Sequence, residues 1–242
     1  KAAAVHATNI PYTERSHFDG QNLMESGGKI PYKIQTGWLG RGMKVAKLQG
    51  DGLALALPMP LLLRGIPKND NFYPVKGTKP RKEIIDLVRS QYKESSENEL
   101  LEILETIQKR YSSSSGGDVD PSHGRARDNN TLAYEAGEKL RKINGPRVAV
   151  FEVNGFDTHA AQGGTDGAHA DCLEETDSII RSLRDKMGES FNNTLVLTLT
   201  EFGRTIKQNS GNGTEHGYGT AVLMAGGLVK KAQIYTDWPG LK

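Results

Sequence analysis

Two apolar runs decide the fold of this chain: RVAVFEV at residues 147–153 and TLVLTLT at residues 194–200. Both read as buried strands, and the first, dense in Val with an inserted Phe, has the pattern of a strand covered on both faces. Each runs into a polar cluster. The first continues as NGFDTH, with Asp157 and His159, and the second as EFGRT, with Glu201 and Arg204. Between them Leu173, Thr176, Ile180, Leu183 and Met187 recur at three and four, which predicts a helix over 168–187. Strand, helix and strand in that order make a βαβ unit, so the two strands are expected to be parallel. In such sheets ligands bind outside the carboxyl ends of the strands, where Asp157 and Glu201 stand. A Gly-rich loop then delivers GTEHGYG at 213–219, with Glu215 and His216, before a third apolar run at 221–225.

Upstream, AAAVHA at 2–7 reads as a strand already under way, and no secretory signal opens the chain. Arg15, Ser16, His17 and Asp19 follow in a polar segment that is either the edge of a pocket or a capped, solvated surface turn. Residues 30–80 carry Pro58, Pro60, Pro67 and Pro74, which disfavour a long helix and predict an irregular insertion or cover over one side of the sheet. Apolar periodicity predicts helices over 80–92, 97–110 and 132–143. The second ends at SSSSGG, and Asn144, Gly145 and Pro146 stop the third.

With 31 basic and 29 acidic residues the net charge is +2, so neither nucleic acid nor a membrane surface is implied as a partner. The basic patch at 76–82 reads as a solvated linker. One cysteine, Cys172, rules out an intrachain disulfide and a thiolate metal cluster, and its apolar neighbour suggests a buried structural thiol. No apolar run approaches the length of a membrane span.

Asp157, His159, Glu201, Glu215 and His216 form a candidate metal-ligand set of oxygen and imidazole donors. That chemistry suits zinc, manganese, iron or magnesium, and imidazole favours the first three. Asp-x-His can present two donors from one turn. The bland alternative is local: His159 bonded to Asp157 as a turn cap, and Glu201 paired with Arg204. Arg204, and secondarily Arg15, are the guanidinium groups available for an anionic oxygen. Neither a Walker sequence, a GxGxxG turn nor a G-x-S-x-G elbow is present, which argues against a nucleotide cofactor and a serine esterase.

The stretches RSHFDGQNLMESG (15–27), GWLGR (37–41), VNGFDTHAAQG (153–163), TLTEFGRTIKQNSGNGTEHGYG (198–219), AGG (225–227) and DWPGL (237–241) resemble the bacterial DUF1501 family. The fold of that family resembles the alkaline phosphatase and sulfatase superfamily. The resemblance implies a single domain over 1–242, a three-layer αβα sandwich on a mostly parallel central sheet, with the family's N-terminal strand missing from this sequence. It also implies divalent metals at the strand ends, zinc first and manganese or magnesium as alternatives. By analogy Asp157, His159 and His216 form one ligand group, and Glu201 serves a second metal. Two departures stand out: Glu215 replaces the usual Asp, and the Gly-Gly-Asn-Asp-Gly motif of the family is missing.

Arg204, Ser16 and His17 are the candidate catalytic residues; a Ser16 nucleophile would need an adjacent base or metal. The function expected is hydrolysis of small anionic phosphate or sulfate esters. The alternative is a non-catalytic scaffold that binds a protein or glycan. A periplasmic or secreted location, with a twin-arginine signal, follows from the resemblance alone.

Overall fold

The computed structural model describes residues 1–48, 50–66, 68–72, 86–87, 90, 128–238 and 240. The chain divides into two compact units, residues 1–73 with 127–242, and residues 74–126. The first unit begins with strand β1 (Ala2–Thr8), helices α1 (His17–Ser26) and α2 (Trp38–Val45), strand β2 (Gly52–Leu55), a 3-10 turn (Leu61–Leu63) and strand β3 (Asn69–Phe72). It continues with α3 (Asn129–Leu140), β4 (Val148–Val150), α4 (Ala168–Met187), a 3-10 segment (Gly188–Asn193) and strands β5 (Val196–Leu197), β6 (Gly203–Gln208), β7 (Thr214–Gly217), β8 (Thr220–Ala225) and β9 (Ile234–Tyr235). In the second unit Asp86, Leu87 and Ser90 are helical and exposed, within the helix expected over 80–92. The helix expected over 97–110, the SSSSGG loop and the basic patch at 76–82 lie outside the described residues.

The apolar core of the first unit sits between β2 and two helices. Leu53 and Leu55 alternate along β2 and pack with Leu132, Ala133 and Ala136 of α3 and Ile179 and Leu183 of α4. Strand alternation sends Leu53 and Leu55 to one face, and helical spacing of three and four brings the helix residues to meet them. A cross-helix bond tightens the α3–α4 pair: Ser178 and Ser182 both donate to Asn130 Oδ1. Each fully buried aliphatic side chain here stabilises the fold by about 1.5–3 kcal/mol. Residues 30–80, expected to be an irregular cover, thus supply the central strand of the three-stranded sheet β3-β2-β4 and part of the core.

The architecture is mixed α/β, with strands in several sheets rather than one. The β3-β2-β4 sheet is parallel throughout. The four-stranded sheet runs β5-β8-β1-β9, antiparallel except for the β1–β9 pair, and β6 and β7 form a two-stranded antiparallel ribbon. The expected parallel partnership of the runs at 147 and 194 is therefore corrected: β4 and β5 belong to different sheets.

Both strands are also shorter than their apolar runs. Beyond the Ala54–Val150 pair β4 loses its partner, because β2 ends at Leu55, Ala56 takes φ 54° and the chain turns toward Pro58. Past Leu197 the Thr198 N–H still donates to the Leu223 carbonyl, but the Leu223 N–H goes to the Thr198 hydroxyl instead of its carbonyl. The chain that continues from each short strand carries the polar clusters.

Candidate metal centre

The segment after β4 folds back on itself, because the His159 N–H donates to the Asp157 carbonyl at 3.0 Å, two residues back. This tight turn carries both side chains to one point, with His159 Nε2 2.9 Å from Asp157 Oδ1. The β6–β7 ribbon supplies the other half. Arg204 on β6 stands directly opposite His216 on β7, so both side chains leave the same face. Arg204 Nη1 lies 2.5 Å and His216 Nε2 3.0 Å from the same Asp157 Oδ1. The ribbon is bound to the turn by the Thr214 N–H, which donates to the Thr158 carbonyl, and by Asn209, whose amide donates to the His159 carbonyl at 2.8 Å. At Gly213 a Cβ would come within 2.3 Å of the His159 carbonyl carbon, so only glycine allows the approach.

Helix α1 brings a further imidazole. Ser16 caps it, its Oγ accepting the Asp19 N–H, and Gly27 closes it in the left-handed region with φ 67°. Gly20 lets the helix press on the segment after β5: a Cβ there would lie 2.9 Å from Phe202 Cζ. His17, one turn earlier, is thereby held against Glu201 and Phe202. Its Nδ1 is 2.7 Å from Glu201 Oε1 and its Nε2 3.3 Å from Asp157 Oδ2. Phe202 also stacks on His216 with ring centroids 4.8 Å apart.

Sequence-predicted residues converge here, in roles that differ from one to the next. Asp157, His159 and His216, grouped by the resemblance, lie side by side. His17 joins them, and His17, Asp157 and His216 each offer a ligand atom within 4.8 Å of the others, a group able to hold a metal ion. Glu201 and Glu215 are close by, but each contacts the Nδ1 atom of a histidine, Glu215 lying 3.2 Å from His159. Arg204 is spent on internal partners: Nε donates to Thr214 Oγ1, Nη2 to the Thr214 carbonyl and Nη1 to Asp157. Its guanidinium therefore fixes Asp157 and the ribbon rather than facing an incoming anion. Ser16 spends its oxygen on the helix cap. Sequence reasoning missed Asn209, Thr214 and Phe202. Asn209 and Thr214 read as turn residues in a Gly-rich loop, and only the strand pairing reveals what they hold.

The electrostatics bear on the donor set. Burial pushes the Asp157 carboxyl up, but hydrogen bonds from Arg204 and His216, with the charges of His159 and His216, outweigh it and bring the pKa down to about 2. The Asn209 bond holds Glu215 below the usual carboxylate range against its burial, helped by His159 and Arg15. Both carboxylates are thus acceptors only. Each Nδ1 faces a carboxylate that accepts from it, and the Nε2 atoms of His17 and His159 face Asp157, another acceptor, so a proton or a metal cation must stand between them.

His159 Nε2 lies 3.1 Å from His216 Nε2, and both lie within 3.0 Å of Asp157 Oδ1. Acceptors crowded this closely repel unless a proton or a metal cation stands among them. The spacing also approaches the roughly 3.3 Å donor–donor edge of a tetrahedral zinc with bonds of about 2.0 Å. The residues present therefore fit a divalent metal. His216 is 10% exposed and Asp157 48%, so the group opens to solvent on the Asp157 side.

A mixed α/β chain with a candidate His/Asp/His metal group, gathered from a helix start, a turn and a β-ribbon, is the class that fold and site define. It belongs to the DUF1501 family, described as proteins of unknown function, whose profile matches residues 3–242. Neither a curated protein nor a solved structure matches the chain. Among the described residues no helix is long and apolar enough to cross a membrane.

Proposed function

We propose that this chain is a metal-dependent hydrolase of phosphate or sulfate esters, on a scaffold related to alkaline phosphatases and sulfatases. The observation that carries the reading is the convergence of His159 Nε2, His216 Nε2 and Asp157 Oδ1 within 3.1 Å, on a side of the molecule open to solvent. A divalent cation bound there, zinc first and manganese or magnesium as alternatives, supplies Lewis acidity toward an ester oxygen and lowers the pKa of water. Asp157 and His216 are shared by every donor grouping at the site, and His17 reaches the second Asp157 oxygen. Arg204 acts as a positioning residue, holding Asp157 against the ribbon.

Because Ser16 is occupied as a helix cap, water is the nucleophile in this reading. Its oxygen bonds to phosphorus or sulfur, the ester bond breaks, and the alcohol leaves with a proton. Arg15, exposed and close enough to Glu215 to lower its pKa, offsets the negative charge of the substrate.

The test is turnover of aryl phosphate and aryl sulfate esters by the full chain loaded with zinc or manganese. Activity is expected with one ester class, to vanish in Asp157→Ala, and to survive Ser16→Ala, which costs about 1 kcal/mol of stability through the lost cap. Metal-loaded protein with no turnover would support a non-catalytic scaffold instead. Turnover indifferent to Asp157→Ala would contradict the site.

A further inference from the structure

We infer that Glu201 and Glu215 are a matched pair of positioning residues rather than metal ligands: each takes the Nδ1 proton of one histidine and so turns that ring's Nε2 toward Asp157. This deepens the metal-centre reading above and rests on it for the identity of the site. The two carboxylates come from different parts of the chain, Glu201 from the turn after β5 and Glu215 from β7, yet they make the same contact. Glu201 Oε1 lies 2.7 Å from His17 Nδ1, and Glu215 Oε2 lies 3.2 Å from His159 Nδ1.

In both rings the other nitrogen faces the same acid. His17 Nε2 meets Asp157 Oδ2 at 3.3 Å and His159 Nε2 meets Asp157 Oδ1 at 2.9 Å. The arrangement therefore has two arms, each running carboxylate, imidazole, Asp157 and each ending on its own oxygen of that acid. The outer carboxylate accepts from Nδ1–H and so holds a proton there; where a metal cation replaces the proton between Nε2 and Asp157, the Nε2 lone pair is already aimed at it.

Each outer carboxylate is itself held. Asn209 Nδ2 donates to Glu215 Oε1 at 2.6 Å, leaving Oε2 for His159, while the same amide group reaches the His159 carbonyl. The Asn209 Oδ1 accepts from the Gly211 and Gly213 N–H groups, which anchors it in the turn between β6 and β7. On the other arm α1 packs against the Glu201 Cβ through Gly20, where an added Cβ would stand 3.2 Å away. The carboxylates thus sit one residue outside the donor group, and neither belongs to the set His17, Asp157 and His216 whose ligand atoms lie within 4.8 Å of one another.

The test compares Glu201→Gln, Glu201→Ala, Glu215→Gln and Glu215→Ala in the full chain, by zinc titration and by nitrogen NMR of the histidine rings. A glutamine oxygen still accepts from Nδ1–H, so the Gln variants are expected to keep the tautomer and to bind zinc within a few-fold of the unmodified chain. The Ala variants are expected to release the tautomer and to lose about 10–100-fold in zinc affinity. Zinc loss in the Gln variants as large as in the Ala variants would make the carboxylates ligands and overturn the inference. So would rings of His17 and His159 that lack the Nδ1 proton in the unmodified protein. If that protein binds no zinc while its rings carry the Nδ1 proton, the metal-centre reading fails and the tautomer assignment stands by itself.

Discussion

The apolar core and the polar cluster of the first unit are built by opposite means. In the core, Leu53 and Leu55 of β2 meet Leu132, Ala136, Ile179 and Leu183, and stability comes from area removed from water. In the cluster Asp157, His17 and His159 are half exposed while His216 and Arg204 lie deeper, and what joins the five is charge and hydrogen bonding around one carboxylate. Burial of that kind contributes little by itself, since exposed ion pairs are worth about 0–1 kcal/mol each. The lesson is that the core fixes where the strands end, and the cluster exploits the chain that leaves those ends. Core substitutions should therefore change stability without changing the chemistry, and cluster substitutions the reverse.

The largest effect on stability is expected from Leu55→Ala, which opens a cavity behind β2 and should cost about 2–5 kcal/mol in denaturant unfolding. Metal affinity of the molecules that remain folded should be unchanged. A loss of affinity in the folded fraction would show that core and cluster are not separable.

A smaller effect comes from acid. The folded-state pKa of Asp157, about 2, lies below its ordinary value of 3.8. A depressed acid contributes stability that is fully present above the unfolded value and is lost as pH falls through the folded one. Metal-free protein should accordingly lose this contribution between pH of about 4 and about 2, and Asp157→Asn should flatten that part of the profile. Because the side chain is half exposed, the amplitude should be small beside that of Leu55→Ala. An equal acid loss in Asp157→Asn would assign it to other carboxylates.

How far the sequence foretold this depends on the range over which each feature is decided. Helix α4 was legible to its ends because its periodicity is local, and the strand at residues 2–7 and the run at 221–225 emerged as β1 and β8. The apolar runs at 147 and 194 were legible as strands but not as members of separate sheets, since pairing depends on partners far away in the chain. GxGxxG-type or elbow motifs would have signalled chemistry locally; here the chemistry is assembled from a turn, a ribbon and a helix start.

Asp157, His159 and His216 were legible as a group through the family resemblance. The placing of His17 beside them was not, because it depends on α1 packing against Phe202 through Gly20. Arg204 was expected to face an anion, and only the β6–β7 register shows that its guanidinium is spent on Thr214 and Asp157. Glu201 and Glu215 were picked for their oxygen atoms, but the nitrogen atom each one faces is a matter of side-chain direction that no spacing reveals.

The central claim is that a divalent cation belongs among Asp157, His159 and His216. Crystals of the full chain grown with zinc, with anomalous diffraction collected on either side of the zinc edge, test it most directly. The account predicts one strong anomalous peak bonded to Asp157 and to the Nε2 atoms of His159 and His216, with His17 Nε2 as the remaining donor, and the peak gone in Asp157→Ala. Zinc found only elsewhere, or a peak that persists at the same spot without the Asp157 carboxylate, would contradict it.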